Sequence, residues 1–341
     1  MPFKMKYLVT GGAGFIGSHI TDALVSQGHE VVVLDNLSSG HKENLSGVMD
    51  RIEFVEGDVR DAETCAKAAA GCDGIFHEAA LVSVPDSVNR PRDNHDINIT
   101  GTLNVLEAAR AQRVKRVVFA SSAAIYGDNP ELPKRETMLP EPKSPYALAK
   151  LTGEYYLKVY AECFGLETVA LRYFNVFGLR QDPSSMYSGV ISIFSERIKK
   201  GLPITIYGDG QQTRDFVNVA DVVQANLLAM SVRISSDNPK PQTPKVQSLI
   251  PPHQLTTDNN QLSSGNFVAL NVATGRQTSL LDLIAVLGEL CSKRPEVRFA
   301  AARAGDIKHS LADISQILNF LGYTPGVGLK DGLNRLMAIQ Y

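Results

Sequence analysis

The sequence predicts an α/β fold: a doubly wound parallel sheet followed by a smaller C-terminal lobe. Three observations carry that expectation. Short apolar strands alternate with amphipathic helices through the first half of the chain. The first strand, Lys6–Thr10, runs directly into Gly11-Gly12-Ala13-Gly14-Phe15-Ile16-Gly17, a glycine-rich turn that opens a helix. Asp58, Ala79, Ala80, Ser121 and Ser122 all fall where later strands stop, and such sheets hold ligands beyond their strands' carboxyl ends. Residues 1–175 are expected to form the first domain and 176–341 the second lobe, with strands of the latter free to rejoin the first sheet.

Composition narrows the function classes. The chain has 341 residues, enough for a large core, with 44% apolar residues and a net charge of −2. No basic run points to nucleic acid or a membrane surface, and no apolar run approaches the ~18 residues of a membrane span. Cys65, Cys72, Cys163 and Cys291 show neither paired nor metal-ligand spacing. A strand beginning at Lys6 leaves no room for a signal peptide. A reduced, cytoplasmic protein without a metal site is expected.

In the glycine-rich turn, glycines let the backbone approach a pyrophosphate, and the helix that follows, to about Gln27, supplies oriented N–H groups. The next strand, Glu30–Leu34, ends on Asp35, an acid eighteen residues past Gly17. It would accept hydrogen bonds from adenosine ribose hydroxyls and repel a 2′-phosphate, which favours NAD over NADP. Strands then follow at Ile52–Glu56, at Gly74–His77 before Glu78-Ala79-Ala80, and at Lys115–Ala120 before Ser121 and Ser122. Between the last two lies a helix from about Arg92 to Ala111. It contains Asn98, a mediocre helix former, read either as a solvated position or as an amide tying a lysine into a polar network.

Ser144-Pro145-Tyr146-Ala147-Leu148-Ala149-Lys150 reads as a helix start, with Ser144 as cap and Pro145 at the first position. Tyr146 and Lys150, four apart, share a helical face. A lysine beside a phenol favours the phenolate and would make Tyr146 an acid/base near neutral pH. After a strand at Thr168–Tyr173, Pro/Ser/Gly-rich sequence around 182–189 suggests a crossover into the second lobe. That lobe carries a helix from Val190, a strand Ile204–Tyr207, Arg214-Asp215 and a helix near Val219–Met230. Residues 231–266 hold five prolines and little periodicity, which predicts a long surface insertion.

Taken together these segments resemble the extended short-chain dehydrogenase/reductase superfamily, and within it the nucleotide-sugar 4-epimerases; the stretches Arg180-Gln181-Asp182-Pro183 and Gly305-Asp306-Ile307-Lys308-His309-Ser310 look like the branch acting on UDP-N-acetylglucosamine. The carriers are Thr10–Gly17, Asp35-Asn36, Gly57-Asp58-Val59, Ser122 before Gly127, Tyr146-x-x-x-Lys150, Arg172–Gly178, Arg214-Asp215 and Arg303-x-Gly-Asp306. The resemblance implies a Rossmann-type NAD-binding domain over 1–175 and a UDP-sugar-binding lobe over 176–341. It implies tightly bound NAD held by Gly11, Gly14, Phe15, Ile16, Gly17, Asp35, Asn36, Asp58, Val59, Ala79, Ala80, Tyr146, Lys150 and Tyr173. Tyr146 would be the base for the sugar 4-hydroxyl. Lys150 would hold the nicotinamide ribose and lower the Tyr146 pKa, Ser122 would bond the reacting oxygen, and Asn98 would support the network. Ser83, Ser122, Tyr146, Asn175, Val190, Tyr207, Arg214, Arg303, Asp306 and Ser310 would line the UDP-sugar site, with Arg214 and Arg303 on the diphosphate. A homodimer through a four-helix bundle is implied as well.

Two departures sharpen the expectation. Dehydratases of this superfamily carry Asp-Glu after the catalytic hydroxyl residue, and the decarboxylase branch carries a glutamate there; this chain has Ala123 and Ala124. Epimerases restricted to UDP-glucose and UDP-galactose carry a tyrosine where this chain has Ser310. The small side chain leaves room for an N-acetyl group, so UDP-GlcNAc/UDP-GalNAc is the expected pair, with UDP-Glc/UDP-Gal also admitted. A strict UDP-glucose 4-epimerase, a UDP-glucuronate 4-epimerase, and an NAD-binding sensor or scaffold are the alternatives.

Overall fold

The computed structural model describes residues 4–181, 190–232, 234, 266–301 and 308–339. The first half runs β1 (Lys6–Thr10), α1 (Phe15–Ser26), β2 (Glu30–Asp35), β3 (Glu53–Glu56), α2 (Ala62–Ala68), β4 (Gly74–His77), α3 (Val84–Asn89), α4 (Pro91–His95), α5 (Gly101–Ala111), β5 (Arg116–Ser122), α6 (Pro145–Phe164) and β6 (Glu167–Tyr173). The rest runs β7 (Asn175–Phe177), α7 (Val190–Lys199), β8 (Ile204–Tyr207), β9 (Thr213–Arg214), β10 (Phe216–Asn218), α8 (Val219–Ser231) and β11 (Phe267–Val272). The chain closes with β12 (Thr278–Ser279), α9 (Leu280–Leu290), β13 (Val297–Ala300), α10 (Ser315–Leu321) and α11 (Leu329–Ile339).

Seven strands form one parallel sheet in the order β3-β2-β1-β4-β5-β6-β11. Helices cover both faces, so strands such as Val31–Leu34 are buried and apolar throughout rather than alternating. The winding reverses between β1 and β4, which opens a crevice above their carboxyl ends. This is the doubly wound Rossmann-like α/β sheet that the sequence predicts. The sheet draws on residues beyond 175: β11 pairs with β6, and α8 lies against α1. The second lobe packs α7, α9 and α11 with β8/β13 and β7/β10 around Phe177, Phe194, Ile206, Leu283 and Leu333. The 182–189 crossover lies outside the described residues, as does nearly all of the 231–266 insertion.

One predicted element differs. The helix expected over about Arg92–Ala111 starts at Pro91 and is interrupted by a π-helical turn at Asp96–Thr100. There the Gly101 N–H reaches back to the Asp96 carbonyl, and a β-carbon on Gly101 would sit 2.7 Å from a Val59 methyl. The glycine lets the helix press on Val59, and the wider turn redirects Asn98 inward.

α6 is fixed to the sheet by a buried ion pair. Arg172, on β6, donates from Nε and Nη2 to the two carboxylate oxygens of Glu154 at 2.9 and 2.7 Å, and the Ser121 hydroxyl donates to the same carboxylate at 2.5 Å. Arg172 also donates to the Tyr126 hydroxyl at 2.9 Å, and Tyr126 donates to Asn271 on β11 at 2.6 Å. Removing one member strands a buried charge. Glu154→Ala is expected to cost about 3–5 kcal/mol in urea unfolding, whereas Glu63→Ala, which breaks the exposed Lys67–Glu63 pair, leaves the midpoint in place.

Candidate active site

The turn after β1 is compact because its glycines permit contacts that a side chain would block. Gly11 has φ +67°, and a β-carbon there would lie 2.7 Å from the Ala79 nitrogen; one on Gly17 would lie 2.2 Å from the Gly11 carbonyl. Ala79, in the segment leaving β4, therefore stands directly beside the glycine turn across the reversal of the sheet, with Ala80 next in the chain. α1 begins at Phe15-Ile16-Gly17 after Gly14, with no side-chain cap and no acid in its first turn, so its leading N–H groups form a positive end that no side chain of that turn opposes.

Asp35 closes β2. Its Oδ2 accepts from the Ala13 N–H at 2.9 Å and its Oδ1 from Leu37 N–H at 2.8 Å, so the carboxylate is fixed while each oxygen keeps a lone pair. Asn36 donates to Asp58 at 2.7 Å. The Asp58 carboxyl, bonded by the Arg60 guanidinium, is held down to about 2. Val59 is buried in the core beneath this edge.

The second cluster lies above β4, β5 and β6. Ser144 caps α6, and the next backbone donor, the Tyr146 N–H, bonds the buried Ser87 hydroxyl of α3 at 3.1 Å. Lys150 is buried; its Nζ donates to the Ala120 carbonyl at 2.7 Å and lies 5.8 Å from the Tyr146 ring centroid. Burial lowers the Lys150 pKa to about 8, and Glu78 opposes the fall. Burial raises the Tyr146 pKa, a hydrogen bond with Ser122 works against the rise, and Glu78 adds to it. Lys150 is not among the groups that set this shift: it is engaged by Ala120, and desolvation of the phenol prevails.

Asn98 also differs from the expected lysine support. Its side chain accepts from Leu81 N–H at 2.8 Å and donates to the Leu81 carbonyl at 3.0 Å and to Asn94 at 2.8 Å. It fastens the loop leaving β4, the segment that carries Ala79, Ala80 and Ser83. A buried chain supports the same loop. The Thr102 hydroxyl donates to the Asn98 carbonyl at 2.7 Å, so His77 Nε2 must donate to Thr102 at 3.0 Å and its Nδ1 must accept from Thr10 at 2.7 Å. Burial holds His77 neutral, with its pKa near 3. Ser83 caps α3, accepting from Asp86 N–H at 3.0 Å.

In the second lobe the N–H of Asn175 bonds the Asp215 carbonyl at 3.2 Å, and the Ser310 N–H bonds the Thr213 carbonyl at 3.1 Å. Asn175, Arg214 and Ser310 thus gather along one edge. Val190 opens α7 and Tyr207 ends β8, half-exposed. Arg303 and Asp306 lie outside the described residues. Asp215 organises this edge: its carboxylate accepts from Thr274 N–H and hydroxyl, Gly275 N–H and Ala312 N–H at 2.9, 2.6, 3.0 and 3.2 Å.

Sequence reasoning passed over Asp215, Glu78 and Ser87. Asp215 and Glu78 stood inside the quoted motifs, and an acid at a strand's carboxyl end was the available signal. Ser87 had none, since its partner is 59 positions away.

The NAD-dependent epimerase/dehydratase family model matches residues 7–240. The chain belongs to that family. A relative from Methanocaldococcus jannaschii, described as a putative UDP-glucose 4-epimerase, is 37% identical over 97% of this chain and 96% of its own length. Among solved structures, a UDP-N-acetylglucosamine 4-epimerase from Methanobrevibacter ruminantium M1, in complex with UDP-N-acetylmuramic acid, superposes with TM-score 0.86 at 37% identity, covering 98% of this chain and 97% of that one. A UDP-glucose 4-epimerase from Thermotoga maritima with UDP-glucose gives 0.84 at 38% identity, covering 98% of both. NAD is the cofactor of this epimerase family, within the extended short-chain dehydrogenase/reductase superfamily. The structure fits it: β-carbons at Gly11 and Gly17 would fill the turn, the first turn of α1 carries no acid, and Asp35 is fixed with lone pairs to spare.

Proposed function

We infer that the chain is a UDP-hexose 4-epimerase that inverts C4 through a 4-keto intermediate, with UDP-GlcNAc and UDP-GalNAc as its main pair and UDP-Glc and UDP-Gal as a second. The observation that carries this reading is the meeting of Tyr146, Ser122 and Lys150 at the ends of β5 and β6, in a chain whose glycine turn suits a dinucleotide.

NAD, when bound, supplies the acceptor and donor for the C4 hydride. Tyr146 takes the proton from the 4-hydroxyl, and Ser122, bonded to the Tyr146 hydroxyl, holds the reacting oxygen. Lys150 contributes the buried positive charge and holds the cofactor ribose, and Tyr173 lines the same pocket. Asp35, Asn36, Asp58 and Val59 hold the adenosine end. Arg214 and Arg303 bind the diphosphate, for which a guanidinium is suited. Asn175 bonds the diphosphate or the sugar, Asp306 and Ser83 belong to the sugar pocket, and Val190 and Tyr207 contact the uridine. The keto sugar would turn about its diphosphate link to present its other face for the hydride's return, and Tyr146 would give back the proton to the 4-oxygen. Ala123 and Ala124, in the 3₁₀ turn after Ser122, provide no acid or base for elimination, which favours epimerisation over dehydration.

The homodimer rests on a separate observation. Leu148, Tyr155 and Val159 form an exposed stripe at helical spacing on α6, 53%, 56% and 47% accessible, and Val88 of α3 is 59% accessible. Pairing α6 with its counterpart, beside α5, would cover that stripe in a four-helix bundle.

Tyr146→Phe is expected to lower kcat at least ~10³-fold while the purified protein keeps its NAD; a retained rate would remove Tyr146 as the base. For the substrate, kcat/KM for UDP-GlcNAc is expected to exceed that for UDP-Glc, with Ser310→Tyr abolishing the former and sparing the latter. Turnover of UDP-Glc alone, or of UDP-glucuronate alone, contradicts the preference. Leu148→Asp together with Tyr155→Asp is expected to halve the mass measured by light scattering; an unchanged mass rules out this interface.

A further inference from the structure

Among the described residues of the cleft, Glu78 carries a charge that the proton transfer does not use. Glu78 follows β4 directly. Its N–H donates to the Thr10 carbonyl at 3.1 Å, which fixes the backbone next to the glycine turn. Its carboxylate accepts from the Tyr173 hydroxyl at 2.9 Å. That hydroxyl in turn accepts from the buried Asn226 amide at 2.7 Å, and the amide is oriented by a second bond to the Val222 carbonyl at 2.9 Å. The donors run one way, Asn226 to Tyr173 to Glu78, so the fold delivers a proton donor to a carboxylate in the half-buried cleft.

We propose that Glu78 is a positioning residue for the proton transfer: held by Tyr173, its carboxylate sets the charge that Tyr146 and Lys150 experience. The proposal rests on the reading of Tyr146 as base and Lys150 as the required cation. One residue past the His77–Phe119 pairing, Glu78 stands level with Ala120, whose carbonyl holds Lys150; its carboxylate reaches across β5 to Tyr173, which pairs with Ser122, the partner of Tyr146. The groups around it are thus Lys150 and Tyr146 from α6 and Tyr173 from β6; Thr10 of β1 and Asn226 of α8 are neutral, and His77 is uncharged. An anion here raises the proton affinity of every neighbour. It keeps Lys150 protonated despite burial, and it holds the Tyr146 proton more firmly. Glu78 itself is pushed up to about 7, chiefly by burial, with Tyr173 and Lys150 opposing. It therefore gains its charge in the range where the reaction would run.

Glu78→Gln keeps the shape and the Tyr173 contact but removes the charge. Loss of an anion that raises both groups moves both downward, so the whole rate profile should slide toward acid rather than merely lose height. The test compares kcat against pH for the NAD-containing wild type, Glu78→Gln and Glu78→Asp. Tyr146 ionisation is followed in parallel by ultraviolet tyrosinate absorbance, each protein being differenced against its own Tyr146→Phe variant. In Glu78→Gln both limbs and the Tyr146 midpoint are expected to fall by about half a unit to one unit, with Glu78→Asp staying close to wild type. A lower kcat with unmoved limbs and an unmoved Tyr146 midpoint would overturn the proposal and leave Glu78 a packing residue. A midpoint that moves while the rate profile stays put would sustain the charge coupling and overturn instead the assignment of Tyr146 as the base.

Discussion

The geometry of the cleft depends on the buried pair between Arg172 and Glu154. Tyr146, Lys150 and Glu154 succeed one another at intervals of four on α6, so they lie along a single helical face. Glu154 is the anchored end of that row, clamped bidentately by Arg172 and bonded by Ser121. Because Arg172 belongs to β6 and Ser121 to β5, the clamp ties the helix to two adjacent strands at once. The two residues nearer the N-terminus are thereby held above the strand ends, with Ser122 next in line. A buried pair of this kind is weak evidence for stability and stronger evidence for position; here it fixes the rotation of the helix that bears the proposed base.

The other half of the site follows from sheet topology. Reversal of the winding between β1 and β4 leaves a crevice lined first by residues at those two strand ends. Gly11 and Ala79 approach so closely there that no β-carbon fits at Gly11. The loop leaving β4 is then held from beneath by Asn98 in its π turn and by the Thr10–His77–Thr102 chain. One burial, that of His77, keeps this chain neutral, and another makes Lys150 easier to deprotonate. The same low-polarity surroundings that sharpen hydrogen bonds also penalise charge, so the titrating groups of the cleft are interdependent.

Local patterns revealed most of the fold. Periodicity marked the strands of the main sheet because parallel strands are buried on both faces, and the glycine turn and Asp35 declared a dinucleotide site through chemistry that few other folds need. The return of β11 to the sheet was harder to read, since nearly a hundred residues, part of the second lobe among them, separate it from β6. The π turn at Asp96–Thr100 was illegible because its cause, Gly101 pressing on Val59, joins residues far apart in the chain. The same holds for Asn98: spacing placed it in the right helix, and only the three-dimensional path of the β4 loop showed what its amide touches. The Tyr146–Lys150 pairing was visible as spacing, yet the sign of the phenol's shift was not, because it is decided by burial and by Glu78.

The central claim is that C4 is inverted by removal and return of its own hydride, with Tyr146 handling the hydroxyl proton. It is tested most directly with a UDP-hexose deuterated at C4, turned over by the purified protein in ordinary water. The account predicts a 4-epimer that retains the deuterium at C4. Loss of the label to solvent would mean that the C4 hydrogen leaves as a proton, and the hydride mechanism would be wrong.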